Sequence, residues 1–250
     1  SRVIGNRMWG WHFGNGIVRT PSNFGVIGEK PTHPQLLDWL AYNFVENGWS
    51  IKKFHKLVML SSTWQMSSEH NDKKFNIDGD NKLLWRFQPK KLEVESWRDS
   101  LLYVTNELAQ RIGGPPEGEI MTSQRRTLYA TISRTGDKFK SDGFLRLFDF
   151  PAAASTSPKR ASSTVPQQYL FMLNSVFMNN RSKTLGRFLS ESDLNRSKVI
   201  VNIYNKLYSR PPQASEVEIA NAWLGESPDV DRWSLYAQAL LSAHEMIQIR

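Results

Sequence analysis

The first stretch of this chain that could do chemistry runs from residue 19 to residue 39 and reads RTPSNFGVIGEKPTHPQLLDW. It is rich in Gly and Pro and leads into an amphipathic helix, and binding residues concentrate in loops of this kind on rigid scaffolds. His33 falls in the first turn of that predicted helix, where it could cap the helix or face an anion drawn by the helix dipole. The candidate ligand-binding side chains of this loop are Arg19, Asn23, Glu29 and His33.

A second stretch, FDFPAAASTSPKRASSTVPQQYLFMLN from residue 148 to residue 174, repeats this design. An arginine presents a planar fork that matches a carboxylate, sulfate or phosphate, and the helix that follows each loop offers free N–H groups to an anion. If the two loops converge, they form a polar, anion-binding cleft lined by Arg126 and Arg160. The second loop and the segment before it supply these charged residues: Asp149, Lys159, Arg160, Arg125, Arg126 and Arg134.

The same arginines have an alternative use, which is to pair with Asp149, Glu29 and other acids and so hold long loops in place. The sequence leaves both interpretations open. Glu95 and Asp99 lie four residues apart on one face of a predicted helix. Glycoside cleavage needs two carboxylates at a defined separation across a cleft, and we interpret this pair instead as a solvated helix face.

Metal and redox chemistry have no visible motif. The absence of cysteine excludes disulfides, iron–sulfur clusters and covalent haem attachment within this chain. No P-loop, dinucleotide fingerprint or nucleophile elbow is present. We therefore predict no metal and no cofactor in this chain, and we expect His55 to face solvent and His244 to lie on a helix flank. None of the five histidines has a partner at metal-ligand spacing: His12, His33, His55, His70 and His244.

Composition sets further bounds on function. The 250 residues are 40% hydrophobic and 22% charged, which is ordinary for a globular protein. Aromatic residues reach 12% with nine Trp, which indicates either a core of large side chains or a surface on which sugars stack. The net charge of +8 favours anionic partners, but the basic residues are scattered, which argues against nucleic-acid binding. No apolar run is long enough to predict a membrane span.

Hydrophobic periodicity predicts a mainly α protein with long ordered loops and at most a small β-ribbon. We expect one helical domain over 1–250, with a subdivision into 1–116 and 117–250 as an alternative. Thr32 and Thr164 each begin a T-x-P-Q sequence, which predicts a capped helix start. Residues 69–81 are predicted to form a polar loop and residues 126–133 a strand. The predicted helices cover residues 1–13, 33–46, 50–64, 91–112, 164–189, 194–209, 215–224 and 229–249.

Two apolar stripes lead to further expectations. Val3, Ile4, Met8 and Trp9 form an apolar face on the first helix, and we expect it to pack against a preceding part of the same polypeptide. The stripe of the helix predicted over 164–189 is expected to be buried and consists of Leu170, Leu173, Val176, Phe177, Leu185 and Phe188.

Several long segments of the chain follow the pattern of a known family. They are NRMWGWHFGNGIVRTPSNFG, GEKPTHPQLLDWLAYNFVENGWSIKKFHKLVMLSSTWQMSS, NKLLWRFQPKKLEVESWRDSLL, RRTLY, FDFP with TVPQQYLFMLN, and YNKLYSRPPQASEVE. On these segments the chain resembles the planctomycete cytochrome-associated family known as domain of unknown function 1553. The chain departs from the family pattern at Ala152–Ala154, where relatives carry a more polar stretch, which weakens a cation-binding role for this loop.

The resemblance implies an extracytoplasmic protein, periplasmic or at the cell surface, in which a c-type cytochrome domain often precedes this one. Haem c is therefore expected, if anywhere, in another domain of the full-length protein, and the N-terminal domains of the same polypeptide are the expected partners. The family has no established reaction, so the sequence does not decide whether the protein is an enzyme. The functions that follow are binding or processing of a glycan or other anionic ligand, docking of partner domains without catalysis, and, with least support, nucleic-acid binding.

Overall fold

The computed structural model describes residues 1–135 and 138–249. The described residues are mainly helical, which confirms the predicted fold class. Two-residue strands, β1 Lys90–Lys91 and β2 Gln248–Ile249, pair with each other, and short 3₁₀ helices cover Thr127–Tyr129 and His244–Ile247. The α-helices are α1 Arg2–Phe13, α2 Pro34–Glu46, α3 Ile51–Met59, α4 Asp72–Ile77, α5 Val94–Val104, α6 Lys140–Leu147, α7 Pro166–Asn174, α8 Val176–Ser190, α9 Arg196–Tyr208, α10 Ala214–Leu224 and α11 Val230–Leu241.

The chain divides into two compact units. Unit 1 comprises Ser1–Lys90 together with Ile249, and unit 2 comprises Lys91–Gln248. Each unit has its own hydrophobic core: α1, α2 and α3 surround that of unit 1, and helices from α5 to α11 contribute to that of unit 2. The prediction of one domain over 1–250, or of a division at 116, stays a prediction.

The core of unit 1 uses the apolar face of α1. Met8 and Trp9 are buried in that core, whereas Val3 is 44% exposed. Met8 and Trp9 are thus covered within unit 1, and the packing of this face against a preceding part of the same polypeptide stays a prediction. Buried Asn6 accepts a hydrogen bond from Val18 N at 2.7 Å and donates one to Val18 O at 2.9 Å, and this fixes the start of the first loop.

The two T-x-P-Q sequences begin helices, but the threonines do not cap them. His33 and Val165 occupy the N-cap positions, and neither makes a side-chain cap hydrogen bond. Proline occupies the first turn of both helices, as predicted. Thr32 instead donates its hydroxyl proton to Ile17 O at 3.3 Å, so it ties the two ends of the first loop together.

Helix α5 ends earlier than predicted. Thr105 Oγ1 bonds to Leu101 O at 3.0 Å and Asn106 adopts a positive φ of 59°, which turns the chain out of the helix. Ile112 is consequently 91% exposed rather than part of a buried stripe. The predicted strand over 126–133 is also wrong, because Thr127 bonds through both its backbone N and its hydroxyl to the Asp99 carboxylate, and residues 127–129 coil into a 3₁₀ helix.

The helix predicted over 164–189 is two helices. Ser175 interrupts it and caps α8 by accepting from Met178 N at 3.2 Å. The stripe therefore changes direction at Ser175, and part of it is exposed to solvent, contrary to prediction: Leu170, Leu173, Val176 and Phe188. Short helices α4 and α6 occupy segments in which no helix is predicted.

Helices α8 and α11 of unit 2 approach each other closely at Gly186. A Cβ atom built on this glycine would overlap the backbone and hydroxyl of Ser234. Ser234 turns its hydroxyl to Val230 O of its own helix, 2.8 Å away. The contact between the two helices thus depends on the absence of a side chain at residue 186.

Candidate functional site

A polar pocket opens in unit 1 beside the first loop. The structure brings Arg19 and His33 into its lining, together with Asp80 and Lys82 from the segment after α4. Trp9 and Phe13 of α1 add aromatic walls, and their rings stack with centroids 4.2 Å apart. The cavity volume is about 30 Å³, which is room for about two water molecules, so a larger ligand could place only one of its groups here.

Arg19 is the cation of this pocket that has no carboxylate partner among the described residues. Its Nη2 donates to Asp80 O at 3.1 Å, and this backbone carbonyl holds the guanidinium in place. The residue before it, Val18, is held by Asn6, so the backbone that carries the arginine is also fixed. The remaining donors of the guanidinium form a planar fork suited to an oxyanion.

Lys82 and His33 complete the charged and titratable lining. Lys82 Nζ pairs with Asp80 Oδ2 at 3.2 Å, so this cation is largely compensated within the pocket. His33 Nδ1 lies 3.0 Å from Thr32 Oγ1. Asn81 is buried beneath them with a positive φ of 52°, and its side chain bonds to the backbone of Arg86.

The other two candidates of the first loop lie outside the pocket lining. Asn23 Oδ1 accepts from Gly25 N at 3.1 Å. Glu29 N donates to Thr20 Oγ1 at 3.0 Å, while the Thr20 hydroxyl donates to Asn23 O at 2.8 Å. These bonds shape the tip of the loop.

In unit 2, Arg126 pairs with an acid of α5. Its Nε lies 3.3 Å from Asp99 Oδ2, although the arginine side chain is 59% exposed. Asp99 is 13% exposed and also accepts both hydrogen bonds from Thr127. The interpretation of Glu95 and Asp99 as a solvated helix face is therefore wrong: both carboxylates bind residues from outside their helix.

Arg160 forms a bidentate pair with the other acid of that helix. Its Nη1 and Nη2 each lie 2.7 Å from a Glu95 oxygen, and Glu93 Oε2 lies 3.7 Å away. The guanidinium also stacks over the Phe150 ring at 5.1 Å. The hydrogen bonds that Arg160 donates to Glu95 raise the pKa of Arg160, so this arginine stays charged and paired with Glu95.

Asp149 closes the base of the second loop. Its carboxylate accepts from Ser163 N at 2.9 Å, from Ser163 Oγ at 2.5 Å and from Lys91 Nζ at 3.2 Å. Lys91 also donates to Ser163 O at 2.7 Å and to Gln168 Oε1 at 2.8 Å. Burial opposes ionisation of Asp149, but the bonds from Ser163 and Lys91 outweigh it and lower its pKa.

The candidate ligand-binding residues described above thus fall into two groups. Arg19, Asn23, Glu29 and His33 belong to unit 1, and Arg126, Asp149 and Arg160 belong to unit 2. Convergence of the two loops into one cleft stays a prediction.

Two features of the structure carry no signal in the sequence pattern. Arg98 is fully buried and donates to the carbonyls of Ile120, Ser123 and Arg125, and burial lowers its pKa to about 10. His12 of α1 meets His55 of α3, with Nε2 and Nδ1 2.7 Å apart, so His55 is half-buried rather than solvent-facing. Residues 43 positions apart offer no periodicity from which such a pair could be predicted.

Within the described ranges, no three His, Asp or Glu residues are grouped so that they could hold a metal ion. Among the same residues, no helix combines the length and the hydropathy needed to cross a bilayer.

The helical fold and the polar pocket define the class of this protein, which is a mainly α protein with a candidate ligand site. Comparison with known proteins gives its family. Residues 1–224 match the model of the family described as PSD1, protein of unknown function (DUF1553). The chain belongs to this family. No curated protein and no solved structure matches it.

Proposed function

We propose that unit 1 binds an anionic group of a glycan in the pocket lined by Arg19 and His33. The observation that carries this proposal is a guanidinium in a concave site, held by one backbone carbonyl and paired with no described carboxylate. Charge-assisted, bidentate bonds from arginine to an oxyanion are among the stronger polar contacts in proteins. The neighbouring polar side chains suit the hydroxyl groups of a glycan, whereas Trp9 and Phe13 are buried and offer it no stacking face.

In the same proposal the protein is extracytoplasmic and works beside a c-type cytochrome domain of the same polypeptide, as the family resemblance implies. A glycan ligand is consistent with such a location. Haem would then belong to that other domain, since this chain has no cysteine to attach it.

Titration calorimetry with D-galactose 6-sulfate and D-galacturonate tests the binding function. Wild-type protein should bind at least one of them and bind uncharged D-galactose more weakly. Arg19→Gln should weaken binding by about tenfold or more, because a charge-assisted fork is lost. Arg7→Gln is the matched control, since it removes the same charge from an exposed position on α1 outside the pocket lining. Absence of binding by wild type, or equal weakening by both variants, would reject the proposal.

A scaffold role is the second candidate, and unit 2 favours it. Arg126, Asp149 and Arg160 all bond to other residues of unit 2, as expected for side chains that hold loops. Arg160→Gln should therefore lower thermal stability and leave binding of D-galactose 6-sulfate unchanged. A loss of binding with unchanged stability would transfer the ligand site to unit 2.

A further inference from the structure

Unit 2 contains a recess of its own, formed by the second loop and the segment before α6. Its cavity volume is about 480 Å³, which falls within the range of about 300–1,000 Å³ that small-molecule sites occupy. At roughly 30 Å³ for an atom of the size of a water molecule, it has room for a body of about sixteen non-hydrogen atoms. We call this recess the loop pocket, and its lining includes Ile132, Arg134, Phe150, Pro151, Ala152 and Ala153.

The first wall of the loop pocket carries Ile132, and the backbone is fixed on both sides of this residue. Thr131 N donates to Glu117 O at 2.8 Å. Ser133 donates twice to the carboxylate of buried Asp142, from its backbone N at 3.1 Å and from its hydroxyl at 2.6 Å. Ile132 is 40% exposed between these two anchors, so it contributes an apolar surface at a defined place in the recess.

The second wall carries Phe150, which is also held firmly. Its backbone N donates to Leu145 O at 3.0 Å, and its side chain packs against the core of unit 2. The Arg160 guanidinium lies over the Phe150 ring at 5.1 Å and is itself paired with Glu95. Pro151 follows with a fixed φ. Both walls are therefore in place without a ligand, which lowers the entropic cost of binding one.

The chemistry of the lining is apolar with one positive charge. Five of the six residues named above provide apolar surface, and Arg134 is the charged residue of the described lining. Arg134 is exposed and makes no ion pair or side-chain hydrogen bond with another described residue. Its planar guanidinium suits a carboxylate. An unpaired cation beside an apolar recess favours a ligand that combines an apolar body with one negative charge.

We propose that the loop pocket binds an aromatic carboxylate, whose ring packs against Phe150 and Pro151 and whose carboxylate pairs with Arg134. The charge of Arg134 selects the anion, and the Phe150 ring selects an aromatic body, because aromatic rings gain from offset or edge-to-face contact beyond the burial of their area. Burial of the apolar body supplies most of the affinity. An ion pair exposed to solvent contributes little, so Arg134 determines the preferred charge of the ligand more than the tightness of binding.

Calorimetric titrations with 2-naphthylacetate and its neutral amide, 2-naphthylacetamide, test the proposal. The two probes share an apolar body of a size that the cavity accepts, and they differ in the charge that faces Arg134. Wild type should bind the carboxylate about three- to fivefold more tightly than the amide, as for an exposed ion pair. Arg134→Gln should bind both probes equally, with its affinity for the amide unchanged. Equal binding of both probes by wild type, or binding of neither, would overturn the proposal.

Two neighbouring alanines of the second loop provide a matched pair of variants. Both are exposed, but Ala153 lines the loop pocket and Ala154 lies outside its lining. Ala153→Trp should fill the recess and weaken binding of both probes by about tenfold or more, since the apolar contact area is lost. Ala154→Trp should bind both probes as wild type does. Neither alanine belongs to the core of unit 2, so both variants should keep the wild-type melting temperature. Unchanged binding by Ala153→Trp, or equal weakening in both variants, would contradict the proposed site.

NMR spectra of wild type with isotope-labelled alanine methyl groups locate the bound probe without a substitution. The naphthyl ring should shift the methyl resonances of Ala152 and Ala153 and leave that of Ala41, which is buried in unit 1, unchanged. Shifts at Ala41 with none at Ala152 and Ala153 would place the probe elsewhere and reject the loop pocket. The anion site of unit 1 is independent of either result, because Arg19→Gln should bind 2-naphthylacetate as wild type does.

Discussion

Arg98 and Arg126 share one carboxylate but differ in their surroundings. Both guanidinium groups lie within 4 Å of Asp99, at 3.8 Å and 3.3 Å. Arg98 is fully buried and bonds to backbone carbonyls, so its removal would leave several acceptors without a partner. Arg126 is exposed, and a surface pair of this kind contributes little to stability. Residue type alone would have ranked the two arginines equally.

The pair of His12 and His55 in unit 1 predicts how the stability of the protein depends on pH. Burial, followed by the nearby His55 and Lys90, lowers the pKa of His12 from 6.5 to about 4. Between these values the unfolded chain binds a proton at His12 that the folded chain does not, so stability falls as pH falls from about 6.5 to about 4. His12→Gln should show a shallower fall in the free energy of unfolding, measured by urea denaturation with Trp fluorescence.

The quantity to compare between wild type and His12→Gln is the slope of the free energy of unfolding against pH, because carboxylates add the same pH dependence to both proteins. His70→Gln changes an exposed histidine of unit 1, so this control should keep the wild-type slope. If His12→Gln loses stability with acid as steeply as wild type, His12 is not the source of the dependence.

At the scale of elements, sequence periodicity predicted those helices whose apolar residues face one core. Helices α1, α2, α9 and α10 have bounds close to those expected, because each has a regular stripe and a clear end signal such as Gly14 or Gly225. The failures have local causes that periodicity does not register. Side-chain bonds from Thr105, Thr127 and Ser175 redirect the backbone where the pattern of apolar residues continues.

The candidate site was likewise predictable from the sequence only in part. The loop composition indicated Arg19 and His33, and both line one pocket. The contributions of Asp80 and Lys82 could not be predicted, since about 60 residues separate them from Arg19 and only tertiary folding brings them near. The pairing of Arg160 with Glu95, 65 residues away, is equally invisible in the sequence.

The contact between α8 and α11 yields a prediction about a single methyl group. Gly186→Ala should destabilise the protein by about 1–3 kcal/mol, because the new Cβ overlaps Ser234 and the helices must separate. Gly143→Ala in α6 is the matched control, since nothing lies within 4 Å of its added Cβ. It should stabilise by roughly 0.5–1 kcal/mol through helix propensity. Thermal melts would measure both, and equal shifts for the two variants would contradict the close packing.

At the scale of the whole molecule, the two separate cores predict that a destabilising substitution in one unit loosens that unit and leaves the other largely unchanged. Leu37 in unit 1 and Leu185 in unit 2 are both fully buried. Leucine to alanine at either position should cost about 2–5 kcal/mol. Hydrogen exchange read by mass spectrometry should show faster exchange mainly in the unit that carries the substitution.

This prediction has an internal control, because each variant tests the unit that the other leaves unchanged. If both variants accelerate exchange throughout residues 1–249 to the same extent, the two cores unfold as one cooperative body.

The hydrogen bonds at the base of the second loop determine where the chain can accept inserted residues. Asp149, Ser163 and Lys91 hold both ends of the loop, while residues 152–159 are exposed. Because closure entropy rises only slowly with loop length, residues can be added between the clamped ends at a small cost. This position is therefore where unit 2 can accept an inserted peptide, an affinity tag or a whole extra module, with the rest of its architecture unchanged.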